Sequence, residues 1–326
     1  MPAANTALTL LLAIAGFLLP WIFGGGAIFS ALVLIAIFAV MSYGLDIIVS
    51  DLGEVSLAHT VFFATGAYAT ALVSTNTNFG PIACLIITIV ASLVLAAVVG
   101  LITLRLREFV FSLVTYAVTV VAMTIAENWS FLGGSDGLSG IPLFSVGMGG
   151  AVYTATGDKG LWPIAYLLLL AAIYLTNAFR RSRLGQAAMT VHLNSRLATM
   201  SGIDPQRVRI QVFMVSAPIS AAAGWLYAYQ RAYISADVLD TYFLILMLTA
   251  VVLVGRRMLL APLGGVALIL LQEKFLSFGA YVDEIILGGA LILTLSFLPR
   301  GLAGLGIDIV KQVRRRPAAD LSSKTS

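Results

Sequence analysis

Charge is scarce in this sequence. Lys, Arg, Asp and Glu make up 10% of its 326 residues, against about 25% in soluble domains. Apolar residues make up 60% and the mean hydropathy is +1.00. A soluble core of this length cannot hide that much apolar surface, so lipid is the expected solvent for most of the chain. Cysteine is almost absent. The single Cys84 excludes an intrachain disulfide and, inside an apolar run, reads as a small packing residue. Only two histidines occur, His59 and His192. No Gly-x-x-x-x-Gly-Lys-Ser/Thr, His-Glu-x-x-His or Cys-x-x-Cys string is present. The chain therefore lacks a phosphate-cradling loop and the usual metal-ligand spacings. The pI of about 9.3 suggests nucleic acid, but the basic residues cluster at the ends of apolar runs, which fits membrane topology better.

What is present is a series of long apolar runs. A membrane helix needs about 20 apolar residues, within a range of about 17–25. Candidate runs are 7–23, 27–45, 55–74, 81–104, 109–127, 161–179, 209–230, 239–255, 261–277 and 283–298. The fold expected is all-α, a polytopic membrane protein of about ten helices. The runs at 239–255 and 261–277 are near the short limit, so one of them is a candidate re-entrant helix. The first run lacks a basic stretch before it and is read as a retained span. The Gly24-Gly25-Gly26 break leaves room for only a tight turn.

The basic residues orient the chain. Arg105 and Arg107 separate two runs, as do Arg256 and Arg257. Six lie between 180 and 209, and Arg300, Lys311, Arg314, Arg315, Arg316 and Lys324 lie in the tail. If every run crosses, all of these share one side. The positive-inside rule makes that side the cytoplasm and places both termini there. The exceptions are Lys159, Arg231 and Lys274. Residues 1–304 then form one membrane domain and 305–326 a basic cytoplasmic tail. The 127–160 interval is external, rich in glycine and turns, and flanked by Trp129 and Trp162 as interface aromatics.

The 180–209 segment is the chain's main polar interval and is long enough to fold a short helix. A second polar stretch runs from Asp46 to Tyr68, with three acids, two serines and a histidine between apolar runs. Two readings compete there. Asp46, Asp51 and Glu54 lie in the headgroup region, or they line a pathway together with Ser56 and His59. For His59 the competing reading is a structural hydrogen bond. Small residues at Ala64, Gly66, Ala67 and Ala71, and from Ser216 to Gly224, favour close helix packing. Pro218 adds a candidate kink.

Four segments carry a resemblance. They are Ser56-Leu57-Ala58-His59 with Phe63 and Gly66-Ala67-Tyr68; Gly133-Gly134-Ser135-Asp136-Gly137-Leu138-Ser139-Gly140-Ile141-Pro142; Ser182-Arg183-Leu184-Gly185 followed by Ala198, Gly202-Ile203 and Ser216-Ala217; and Pro299-Arg300-Gly301-Leu302. Together they resemble permease subunits of the branched-chain amino acid ABC importer family, within it the LivM-like half, over residues 40–305. Ala58 stands where the family has Gly. The family's acidic string in the third segment is replaced by Met189-Thr190-Val191-His192-Leu193-Asn194-Ser195-Arg196, which puts the electrostatics of the ATPase contact in question. Gly264-Gly265 replaces a more glycine-rich loop.

The resemblance implies a non-enzymatic permease subunit in a bacterial-type inner membrane, moving branched-chain or other small amino acids, or urea-like and amide-like solutes, by alternating access. It implies a LivH-like second permease, two ABC ATPase subunits carrying ATP and Mg, and an external substrate-binding protein; no cofactor is expected on this chain. A helix around Ala187 to Ser201 is expected to couple to an ATPase through Arg183, Gly185, Ala187, Asn194, Ala198 and Gly202. Ser56, His59, Phe63 and Tyr68 are expected along the translocation path. Ser135, Asp136 and Gly137 are expected to dock the binding protein. The rival readings are an ion-coupled secondary transporter using Asp46, Asp51 and Glu54, and a membrane-embedded enzyme or scaffold. The latter would need clustered His and acid pairs, which are lacking.

Overall fold

In the computed structural model, residues 14–22, 24–77, 79–103, 108–148, 151–275, 280–297 and 301–302 are described. The first thirteen residues, Arg105 and Arg107, Pro299-Arg300 and the basic tail lie outside that set. Each of the ten apolar runs holds a helix. These are α1 over 14–22, α2 Gly26–Asp46, α3 His59–Asn76, α4 Pro81–Thr103, α5 Glu108–Asn128, α6 Gly157–Arg181, α9 Pro205–Arg231, α10 Thr241–Val254, α11 Ala261–Phe275 and α12 Ala280–Phe297. Two more, α7 Arg183–Leu193 and α8 Ser195–Met200, occupy the polar interval. Lipid offers backbone groups no partners, so an apolar run bonds internally as a helix.

Five of these helices are long and apolar enough to cross a membrane by length and composition: Gly26–Leu52, Pro81–Ile102, Val110–Asn128, Gly157–Arg181 and Pro205–Arg231. They divide into inner and outer members. The α2 and α9 spans are 89% and 72% buried, whereas those of α4, α5 and α6 are 28%, 22% and 33% buried. On α4, Ile82, Ile86, Val90, Val94 and Val98 are exposed at four-residue spacing. A stripe of that kind is a liability in water and the expected outer face in lipid. Helices α10 and α11 have 14 and 15 residues, or about 21–23 Å at 1.5 Å per residue. That is short of the hydrocarbon core of about 30 Å.

The centre is α3 against α9, with α2 packed on α9 and α6. Two glycines set the α3–α9 separation. A Cβ on Gly66 would overlap the Ala221 carbonyl, and one on Gly224 would overlap the Phe63 carbonyl. Each helix thus seats a carbonyl of the other in a notch where a side chain is missing. On α2, a Cβ at Gly44 would overlap the hydroxyl of Ser220. The small residues on α9 are therefore a packing seam, and α9 runs unbroken through Pro218. Cys84 is fully buried.

The helix ends sort into two faces. At one, the end of α2, the start of α3, the end of α6, the start of α9 and the α10–α11 turn meet through ion pairs. At the other, Tyr233 after α9 bonds the Asp136 carbonyl after α5, and Gln230 bonds Asp158 at the start of α6. This second face carries the departures from an all-helical reading. Strand β1 Leu138–Ser139 pairs antiparallel with β4 Tyr233–Ile234, and β2 Ser145–Met148 with β3 Ala151–Thr154. The 127–160 interval was expected to form turns; its backbone bonds instead close two ribbons. Trp129 is exposed, as an interface aromatic would be. Trp162 is buried and donates to the Phe17 carbonyl at 3.0 Å, so it ties α6 to α1. Gly264 and Gly265 belong to α11, where a Cβ on Gly265 would overlap the Ala250 carbonyl; they are packing residues and not a loop.

Candidate functional site

The polar interval folds as an elbow and two short helices. Ser182 caps α7: its hydroxyl accepts from the Gly185 amide at 3.1 Å and donates to the Phe179 carbonyl at 2.7 Å. This is the expected work of a Ser before a helix. A Cβ on Gly185 would overlap the Phe179 carbonyl, so the turn from α6 into α7 closes only on glycine. Asn194 breaks the segment in two. It ends α7, and its side chain accepts from the amides of Arg196 and Leu197 to start α8. Gly202 ends α8 with φ 79, while the Ile203 amide returns to the Ala198 carbonyl at 3.0 Å. The single helix expected over Ala187 to Ser201 is thus two, and it begins earlier, because Asn competes for the backbone bonds that would continue α7.

Ala188, Val191 and Ala198 face inward and are buried; Ala187 is half-buried. Arg183 and Arg196 are exposed. Sequence reasoning missed the outward apolar residues. Leu193, Leu197 and Met200 are 72%, 58% and 82% exposed, at spacing i, i+4, i+7. That spacing was the available signal.

A buried charge network lies beneath α7. It centres on Asp46 and on Asp51, the latter in a π-helical turn over Ile47–Leu52 that prolongs α2. Arg180 Nη2 lies 2.6 Å from Asp46 Oδ2, and its Nε lies 2.9 Å from Asp51 Oδ2. Ser50 donates to Asp46 Oδ1 at 2.6 Å. Arg257 Nε is 3.2 Å from Asp51 Oδ1, and Arg209 Nε is 2.6 Å from Glu54 Oε1. The last two contacts are charge–charge contacts without hydrogen-bond alignment. The carboxylates are buried. The two readings offered for these acids thus meet a third: they are clamped by arginines from α6, α9 and the α10–α11 turn. Helix α7 is keyed into the same network. Gly53, with φ 77, lies under the His192 ring, where a Cβ would come 2.6 Å from Nδ1. Arg257 Nη1 reaches Met189 Sδ at 3.1 Å.

The residues expected along the path are buried: Ser56, His59 and Phe63 almost completely, and Tyr68 at 6% exposure. His59 Nδ1 lies 3.1 Å from Ser56 Oγ, and Nε2 lies 3.3 Å from Ser216 Oγ. Its ring therefore bridges the two central helices. Ser135, Asp136 and Gly137 sit at the ribbon face, on the 3-10 turn before β1. Ser135 and Asp136 are exposed. Gly137 has φ 70 and a Cβ there would come 2.6 Å from the Ile234 carbonyl, so it is needed for the β1–β4 pairing. Among the described residues, no group of three or more His, Cys, Asp or Glu residues could hold a metal.

Comparison with known proteins gives a consistent result. A family model described as "Branched-chain amino acid transport system / permease component" matches residues 27–295. The high-affinity branched-chain amino acid transport system permease protein LivM of Escherichia coli K12 is 26% identical over 292 residues, covering 82% of this chain and 67% of the relative. LivM of Salmonella typhimurium LT2 matches with the same identity and coverage. No solved structure matches the chain.

Proposed function

This chain belongs to the branched-chain amino acid transport system permease family, and on that premise we propose how its geometry would serve transport. It is a membrane-embedded transport permease of an ABC importer and not an enzyme. It works within a multi-subunit transporter. We assign the α7–α8 segment to the contact with an ATPase subunit that carries ATP and Mg, and place that segment and both termini in the cytoplasm. The ribbon face with Ser135 and Asp136 then meets an external substrate-binding protein. A second, LivH-like permease completes the membrane part, and the solutes are branched-chain amino acids.

The observation that carries this reading is the triplet Leu193, Leu197 and Met200. Three large apolar side chains stand exposed among the exposed polar residues Arg183, Gln186, His192, Asn194 and Arg196, which is what a covered interface leaves bare in an isolated subunit. The acids absent from this segment are not needed for such a contact, because its centre is apolar. Movement of the segment would reach the bundle by two rigid routes. One is the Gly185 elbow into α6. The other is the His192–Gly53 contact and the Arg180 and Arg257 clamp on α2. ATP binding would favour one conformer by differential affinity, as any ligand-driven change requires.

The decisive substitution is Leu197→Asp, with Met200→Asp as a second probe. Loss of one anchor of a contact costs about 1–3 kcal/mol. The expected result is at least roughly tenfold slower ATP-driven uptake, with the permease itself still folded and inserted. Uptake at the normal rate, with the ATPase bound as before, would refute the assignment.

A further inference from the structure

Arg231, which ends α9, is one of the three basic residues off the cytoplasmic side in the expected topology. It borders two adjoining cavities at the ribbon end of the bundle. One, of about 340 Å³, lies between α2, the start of α10 and the end of α11, and is lined in part by Phe38, Phe243, Tyr242, Leu270 and Glu273. The other, of about 280 Å³, opens towards Tyr233 and Asp237. The Arg231 guanidinium stacks 5.6 Å from the Tyr227 ring centroid. Glu273 Oε2 accepts from the Tyr242 hydroxyl at 2.8 Å. Among the described residues no acid pairs with Arg231 and no base pairs with Glu273, although both line the same space.

We propose that this cavity binds the zwitterionic head of an aliphatic α-amino acid in passage, its carboxylate on Arg231, its ammonium on Glu273, and its side chain against Phe38, Phe243 and Leu270. The proposal rests on the transport function given above and adds where this subunit would touch its solute. Arg231 is exposed and Glu273 half-buried, so both charges are open to a ligand, and a ligand bearing both opposite charges pairs with each without adding net charge. Guanidinium matches carboxylate through two parallel bonds. A cavity of this size falls in the range of about 300–1,000 Å³ that holds small ligands. The walls between the two charges are aromatic and aliphatic, which suits a branched hydrocarbon side chain.

The test uses the assembled transporter in nanodiscs of zwitterionic lipid, without the soluble binding protein. Isotope-labelled leucine is bound in competition with leucinamide, which lacks the carboxylate, and 4-methylpentanoate, which lacks the ammonium. Leucine should compete at least roughly tenfold better than either analogue. Arg231→Gln should lower leucine binding roughly tenfold or more and erase the preference over leucinamide. Glu273→Gln should erase the preference over 4-methylpentanoate, and Arg231→Lys should restore part of the loss. The proposal is overturned if wild-type complex binds no leucine, or if Arg231→Gln keeps wild-type binding and selectivity. It is also overturned if Arg231→Gln releases the second permease, which would mean that Arg231 pairs across subunits, or if the effect appears only with anionic lipid. Failure of the intact transporter to take up branched-chain amino acids would strike the function itself. Normal, selective uptake by Arg231→Gln would strike only this cavity.

Discussion

The two ends of the bundle use charge in opposite ways. Beneath α7, Asp46, Asp51 and Glu54 are buried and met by Arg180, Arg209 and Arg257. At the ribbon end, Arg231 and Glu273 line one cavity and do not meet. Neutralised charge joins elements: α2, α6, α9 and the α10–α11 turn are locked in place below the segment we assign to the motor. Charge left apart is free to be satisfied by something else. The contrast separates a mechanical end from a recognising end, and it is open to attack at three places.

The largest effect should come from the mechanical end. Arg180→Gln strips two buried carboxylates of their main partner, and breaking a buried pair costs about 3–5 kcal/mol. Most of the variant should be lost as aggregate when detergent extracts are heated and passed through size exclusion, while wild-type permease stays monodisperse. An unchanged elution profile would mean that the clamp does not hold the bundle. Gly185→Val should come next. The added atoms overlap the Phe179 carbonyl, and overpacking costs about 1–3 kcal/mol. Because the strain sits in the α6–α7 elbow, the complex should assemble but hydrolyse ATP without matching uptake. Coupled transport by this variant would show that the elbow does not carry the motion. Arg231→Gln should change stability least, by about 0.5–1 kcal/mol, because it loses only an exposed stacking contact on Tyr227. A large fall in thermal stability would make Arg231 a structural residue and collapse the contrast between the ends.

Much of this was legible in the residue order. Every apolar run holds a helix among the described residues, and the glycines and alanines at 66, 67 and 221–224 became the close-packed seam. The resemblance carried by Ser56 to Tyr68 and by Ser182 to Gly185 led to the right family. Other features were not legible. His59 drew attention as a polar group among apolar ones, but its two serine partners, Ser56 and Ser216, are 3 and 157 residues away. No local window contains the second. Trp162 carries the same aromatic signal as Trp129, yet only Trp129 is exposed, because α1 happens to cover the other. The exposed Leu193, Leu197 and Met200 have helical spacing in the sequence, but Leu193 ends α7 and the other two lie on α8 beyond the Asn194 break, and spacing shows neither the break nor which way each helix faces.

The residue order alone settled that this is a lipid-dwelling helical protein with one basic, foldable segment between its runs. That follows from local physics: a run of about twenty apolar residues must bond its own backbone in lipid, and charges are driven to its ends. Only the tertiary structure decided which charges are spent on each other and which are left over. Arg180 reaches Asp51 and Asp46 across 129 and 134 residues of chain, and Arg231 shares a cavity with Glu273 from a different helix. Pairing depends on how helices pack side by side, and packing is set by contacts between segments distant in sequence.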